Sequence, residues 1–185
     1  MAAEIRSDTR IERLTPDSAT ARLPELVELL TNTVHNGDAI GFLAPLAPGE
    51  AEAFWRDVIE AIRSPYRVLL AAIGEGRVAG SVQLDYSQRS NGLHRAEVMK
   101  LMVDTSARRR GIGRALMEEA GRIAEADRRW LLVLDTREGD NGVRLYSSLG
   151  YITAGIIPEY AKSSYTNEMH GTVLMYKLLP KQQPA

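Results

Sequence analysis

The 185-residue chain contains no cysteine. That excludes disulfides, thiolate metal sites and a cysteine nucleophile together. It is in keeping with a reducing compartment. Net charge is nearly absent too, at -1, so no global field directs the chain to nucleic acid or to an acidic membrane surface. The opening MAAEIRSDTR lacks the apolar core of a signal peptide. Apolar runs such as VLLAAIG, from Val68, are far too short to span a bilayer. A soluble, cytoplasmic protein with no nucleic-acid and no membrane partner is the expectation. No repeat, low-complexity tract or linker interrupts the chain, and one domain over residues 1–185 is expected, frayed at 1–9 and 180–185.

What is present is an ordinary globular composition, 44% hydrophobic and 25% charged, with clear periodicity. IERL (11–14) reads as a strand. Leu23, Leu26, Val27, Leu30 and Val34 fall at helical spacing and predict a helix over 19–35, closed by Gly37. Phe54, Trp55, Val58, Ile59 and Ile62 mark a second helix over 50–63, ended by Ser64-Pro65. Strands are expected at 67–74, 78–86 and 95–103, with Asn91-Gly92 as a hairpin signal. An amphipathic helix to about Asp127, a buried strand over 129–136, a short helix over 143–149 and strands at 151–160 and 172–179 complete the chain. Antiparallel hairpins followed by a strand–helix–strand crossover imply a mixed α/β sheet.

The stretch SARRRGIGRALM (106–117) places Arg108, Arg109, Arg110 and Arg114 around Gly111, Ile112 and Gly113, where a loop turns into a helix. A helix start offers unpaired N–H groups and a partial positive charge, and glycine lets an anion approach the main chain. A pyrophosphate suits these parts. A dinucleotide fold would need a third glycine where Leu116 stands, and G-x-x-x-x-G-K-[ST] is absent. A charged loop with a solvated first helical turn is the alternative reading, and a basic nucleic-acid patch is the weaker one, disfavoured by the near-zero net charge. The patch would call for interleaved aromatics that the stretch lacks.

R-x-x-G-x-G, as Arg108, Gly111 and Gly113, resembles the pyrophosphate loop of the GNAT superfamily of acyl-CoA N-acyltransferases. The element order over about 11–179 follows the same family. The resemblance implies a mostly antiparallel central sheet with a splayed strand pair and flanking helices. It implies acetyl-CoA as acyl-donor substrate, with Leu101, Met102 and Val103 flanking the pantetheine arm and residues 108–114 on the phosphates. A homodimer is common among such relatives, and nothing in the sequence fixes it.

Acyl transfer to an amine needs a base, because an alkylammonium is only about a thousandth neutral at pH 7. It also needs an acid for the departing thiolate. Glu97 lies in an otherwise apolar strand, where an acid is costly unless paired or useful. The resemblance places a base there; an ordinary carboxylate would pair with Arg95 or Lys100. Asp135 ends LLVLDT at a strand carboxyl end, as base or as helix cap. Tyr146, in LYSSLGY, resembles the family's acid tyrosine; the alternative is a packed ring with a wetted hydroxyl. Family members commonly carry Asn seven residues before that tyrosine. This chain has Gly139 there, with Asn141 nearby as the candidate for the cofactor contact. Direct attack in a ternary complex follows from the missing cysteine and the missing G-x-S-x-G elbow. His35, His94 and His170 are too widely spread for a metal site.

TVHNGDAIGF, NGLHRAEVMKLMV, SARRRGIGRALM and LLVLDT together resemble the tabtoxin-resistance acetyltransferases, which implies a small, amino-acid-like primary amine as acceptor. His35, Phe42 and Tyr160 are then pocket walls. Asp38 and Glu159 stand where the toxin enzymes would carry uncharged residues. They are surface charges, or, if both face the cleft, they favour a more cationic acceptor. A protein lysine or N-terminal acetyltransferase and a non-catalytic acyl-CoA-binding module are the competing readings.

Overall fold

A computed structural model describes residues 9–181. The expected fraying of the chain ends lies, apart from the residues at 9, 180 and 181, outside that range. No helix among the described residues is long and apolar enough to cross a membrane.

Strands β1 (Arg10–Arg13), β2 (Arg67–Gly74), β3 (Arg77–Tyr86), β4 (Arg95–Val103), β5 (Leu131–Arg137), β6 (Ile152–Lys162) and β7 (Met169–Leu178) form one sheet in the order β1-β2-β3-β4-β5-β7-β6. Every pairing is antiparallel except β4 with β5. The helices are α1 (Pro16–Ala21), α2 (Leu23–His35), α3 (Glu50–Ala61), α4 (Ile112–Ala126) and α5 (Asn141–Ser148). The fold is the mixed, mostly antiparallel α/β architecture expected.

The single helix expected over 19–35 is two. Thr15 and Ser18 form a reciprocal capping box that starts α1 early, with Pro16 in its first turn. Pro24 has no N–H to give a fourth-preceding carbonyl, and the chain breaks at Arg22. Asn91-Gly92 does not form a two-residue hairpin loop. Gly92 N–H donates to the Arg89 carbonyl at 2.8 Å, so the pair closes a turn begun at Arg89 within a longer connection.

Two apolar layers sandwich the first half of the sheet. Val68, Leu70, Val82, Leu84, Ala96 and Val98 face α4 through Leu116 and Ala120. Leu69, Ala71, Ile73 and Met102 face α1 to α3 through Leu26, Leu30 and Trp55. In the second half, Val173 and Met175 join the α4 layer, while Leu174 and Leu178 on the opposite face are 36% and 59% exposed.

Two irregularities position the site. β4 pairs with β5 only over Arg95–Glu97 against Leu131–Val133, and then the two strands part. Just beyond, β4 carries one extra residue: Ser81 pairs with Met102, but Gln83 pairs with Met99. Lys100 absorbs the bulge with φ +54. The bulge swaps the strand's faces. Ala96 and Val98 point at the α4 layer before it, Leu101 and Val103 after it, while Met102 turns to the α2–α3 layer.

Candidate active site

Beyond Glu97 and Val133 the parting of β4 from β5 leaves a gap in the sheet. On its α4 side, β4 runs into a 3-10 turn (Thr105–Ala107) that Asp104 fixes by accepting from Ser106 N–H at 2.9 Å. Asn32 of α2 donates to the other Asp104 oxygen at 3.3 Å. Arg109 and Gly111 then take left-handed conformations, φ +61 and +80, and α4 begins. Its first helical bond is Ala115 N–H to Gly111 C=O at 3.0 Å, and no side chain caps it. The amides of Ile112, Gly113 and Arg114 therefore stand at an uncapped helix start. A Cβ on Gly113 would meet only Leu145 and Val103, at 3.5 and 3.7 Å. Those are ordinary contacts, so packing does not demand glycine here, whereas close approach of an anion does. Arg109 and Arg110 are exposed. Arg108 donates to the Val103 carbonyl at 3.2 Å and pairs with Asp38, while Arg114 holds Ser148 of α5 at 2.7 Å. Arg108 and Arg114 are thus tied to neighbouring groups, whereas Arg109 and Arg110 make no side-chain hydrogen bond or ion pair among the described residues. A cavity of about 420 Å³ lies beside the cradle, lined by Asn32, Asp104, Ser106 and Arg110 among others.

On the opposite face of the sheet, side chains line up across five strands. Asp85 is paired in register with Arg67 and Glu97, Glu97 with Val133, and Val133 with Tyr176. Glu97 thus sits at the last paired position before β4 leaves β5. Burial, and then the Asp135 and Asp85 carboxylates, push its carboxyl above the usual range, against Arg67 and Arg95. Asp135 lies two residues past Val133 on the same face, and Thr172 of β7 donates to it at 2.9 Å. Tyr146, in α5, is 9% exposed, and its phenol is raised to about 12 by burial and by Asp135. It is therefore protonated across the neutral range. Among the described residues no side chain hydrogen-bonds its hydroxyl, and its ring packs 5.8 Å from that of Tyr151. The three candidate catalytic groups are thus electrostatically coupled through Asp135.

A roof is formed by the 36–49 segment, which is tied both to β4 and to the β6–β7 loop. Lys100 Nζ donates to the Ile40 carbonyl and lies 5.3 Å from the Phe42 ring centroid. Phe42 stacks edge-on against Phe54 at 5.3 Å. The β6–β7 loop joins the same segment. Ala44 N–H donates to Ser164 C=O at 2.9 Å, Ser164 Oγ to Phe42 C=O at 3.4 Å, and Tyr165 hydroxyl to His35 C=O. His35's side chain is set apart, lining a cavity of about 230 Å³ with Val27, Leu46 and Glu52. Asp38 reaches Arg108 and comes within electrostatic range of Asp140. Glu159 and Tyr160 are exposed on a bulge of β6, where three residues face one of β7. Asn141 is exposed at the start of α5.

Sequence reasoning did not single out Lys100, Asp104, Arg137 or Thr172. Lys100 was legible as a charge in an apolar strand, and Asp104-x-Ser106 as a side-chain turn. Nothing flagged Thr172. Lys100→Met is expected to speed backbone amide exchange in residues 38–44 about tenfold, the equivalent of one lost charge-assisted hydrogen bond at the low end of its range. Hydrogen-exchange mass spectrometry reads this directly, and unchanged protection would show that the lysine does not hold the roof.

Similarity to known proteins agrees with this geometry. Residues 64–153 match the acetyltransferase (GNAT) domain family. Over 134 residues the chain is 31% identical to an uncharacterized N-acetyltransferase in the hisH-hisA intergenic region of Azospirillum brasilense, spanning 71% of this chain and 77% of that protein. The fold resembles a ribosomal-protein-alanine N-acetyltransferase from Brucella melitensis with a TM-score of 0.75 at 22% identity, covering 92% and 99% of the two chains. It also resembles a GCN5-related N-acetyltransferase from Kribbella flavida with a TM-score of 0.77 at 23% identity, covering 93% and 98%.

Proposed function

Because the chain belongs to the GNAT acetyltransferase family and is therefore an acyltransferase, we propose that it acetylates the primary amine of a small, amino-acid-like molecule. The whole chain forms one N-acetyltransferase domain in this reading. The observation that carries the acceptor class is the roof. The 36–49 and 163–168 segments are hydrogen-bonded to each other, through Ala44 and Ser164 above all, and such a tie supports a covered acceptor side over an open groove. The resemblance to tabtoxin-resistance acetyltransferases supports the same acceptor class and a detoxifying role.

Acetyl-CoA, when bound, supplies the acyl thioester and a thiolate leaving group. The open amides at Ile112–Arg114, with Arg109 and Arg110, hold its pyrophosphate; Leu101 and Val103, on the strand freed by the splay, flank the pantetheine. Glu97, assisted by Asp135, takes the ammonium proton, directly or through one water. The freed amine nitrogen bonds to the acyl carbon as the carbon–sulfur bond breaks. Tyr146 gives its hydroxyl proton to the departing sulfur, and the second proton leaves the nitrogen as the amide forms and returns to the Tyr146 oxygen through solvent. Tyr146, its phenol raised to about 12, holds the proton its role needs at neutral pH, and burial with the neighbouring carboxylates makes Glu97 a stronger base than an ordinary carboxylate.

The first test is a thermal shift with acetyl-CoA, CoA and NAD. A ligand that binds the folded state raises Tm by mass action, by the equivalent of about 2.7 kcal/mol at a hundredfold excess over Kd. Both CoA compounds are expected to stabilise and NAD is not. Turnover with free amino acids, simple amines and peptide N-termini then assigns the acceptor. Rates confined to peptides would replace the small-molecule reading with a protein acetyltransferase.

A further inference from the structure

We propose that Arg137 binds the carboxylate of the acceptor, making this an acetyltransferase for amines that carry a neighbouring acid group. This rests on the amino-acid-like acceptor reading above and names the group that reads the acid.

The argument begins with strand alternation. On β5, Leu132 and Leu134 are buried in the α4 layer. Asp135 and Arg137 point to the other face, where Glu97 stands. Arg137 lies two residues past Asp135, about 7 Å further along the strand. A molecule with its amine at the Glu97–Asp135 pair and its carboxylate a short chain away spans that interval.

The guanidinium is held with donors to spare. Arg137 Nη2 is 2.8 Å from His170 Nε2. Arginine has only donors, so His170 accepts through that nitrogen and is uncharged in this contact. The acidic partner, Asp140, lies 3.9 Å from Arg137 Nε, beyond hydrogen-bond distance. Burial raises the Asp140 carboxyl, and the Arg137 charge opposes that rise. Asp38, the roof carboxylate within electrostatic range of Asp140, is paired with Arg108 instead. A planar fork with spare donors, 26% exposed and steadied from one side by a neutral imidazole, is the side chain suited to a carboxylate.

Asp38 thus changes meaning. As a free cleft charge it would draw a cation; paired with Arg108 it is not a partner of Arg137.

The test compares free amino acids with their carboxamides, in the wild type, Arg137→Met and Arg137→Lys, at saturating acetyl-CoA. In the wild type, kcat/KM is expected to favour the acid over the amide by about 10–100-fold. Arg137→Met loses that preference through KM for the acids, with the amides unchanged. Arg137→Lys keeps part of it. Equal wild-type rates on acids and amides overturn the inference alone, as does an Arg137→Met variant that lowers both classes equally while its thermal shift with acetyl-CoA is retained. Turnover on peptides with no free amino acid or amide accepted overturns the small-acceptor reading, and this inference with it.

Discussion

Replacing Glu97 by Gln and Asp135 by Asn together is expected to lower kcat/KM for the amine about 10²–10⁴-fold, the usual worth of a general base. Each single variant is expected to fall short of the double, because either carboxylate can accept the proton while the other is lost. The two act as a coupled pair, so the acid limb of the wild-type pH profile belongs to the pair rather than to one residue. The limb has a defined direction. Burial and the Asp135 charge raise the Glu97 carboxyl, so the base becomes protonated, and activity falls, at a pH above the ordinary carboxylate range. Asp135→Asn removes one of the raising charges and is expected to shift the limb to lower pH. Stability moves the other way. A carboxyl raised in the folded state binds its proton more readily than in the unfolded chain, so native stability is lost as pH rises through that interval. Glu97→Gln never ionises and is expected to be at least as stable as the wild type at pH 7. A kcat/KM within threefold of wild type in the double variant would remove both residues from the base role. Rates against pH and melting curves at pH 5 and pH 7 separate these outcomes.

Gly80→Ala is the second large effect, and it acts on the scaffold. A Cβ at Gly80 would lie 2.7 Å from the Met102 carbonyl oxygen and 3.2 Å from both Ile112 and Leu116. The first of these is backbone and cannot swing aside. Overpacking of this kind costs about 1–3 kcal/mol, and each kcal/mol lowers Tm by about 2–4 °C in a chain of this length. The displaced atoms are the bulged end of β4 and the first turn of α4, the two walls of the cradle. Acetyl-CoA affinity is therefore expected to fall beyond what stability alone explains. Val58→Ala, buried in α3 away from the cradle, is the control: it opens a cavity and lowers Tm but leaves the affinity alone. Equal affinities in the two variants would disconnect Gly80 from the cofactor site.

The cradle was legible because its information is local. Glycine, arginine and an amphipathic helix stand within a few residues, and each has a physical meaning on its own. The elements were legible for the same reason, and even the break at Arg22 was signalled by Thr15, Ser18 and Pro24. The roof was not legible. Tyr165 reaches His35 and Ser164 reaches Phe42 across more than a hundred positions of chain, and only the closed sheet brings them together. Asp38 shows the limit most clearly. Its neighbours in sequence say nothing of Arg108, 70 residues on, with which it pairs. The splay depends on where pairing between β4 and β5 stops, a balance between strands that neither sequence records alone.

The extra residue at Lys100 behaves like a frameshift in the strand's reading of inside and outside. Ahead of it the even-numbered side chains enter the α4 layer; behind it the odd-numbered ones do. Deleting Lys100 would restore plain alternation and leave Leu101, Met102 and Val103 in the layers they now occupy. What it would remove is the kink where β4 parts from β5 and the side chain that holds Ile40. The packing of the strand does not need the extra residue; the shape of the gap does.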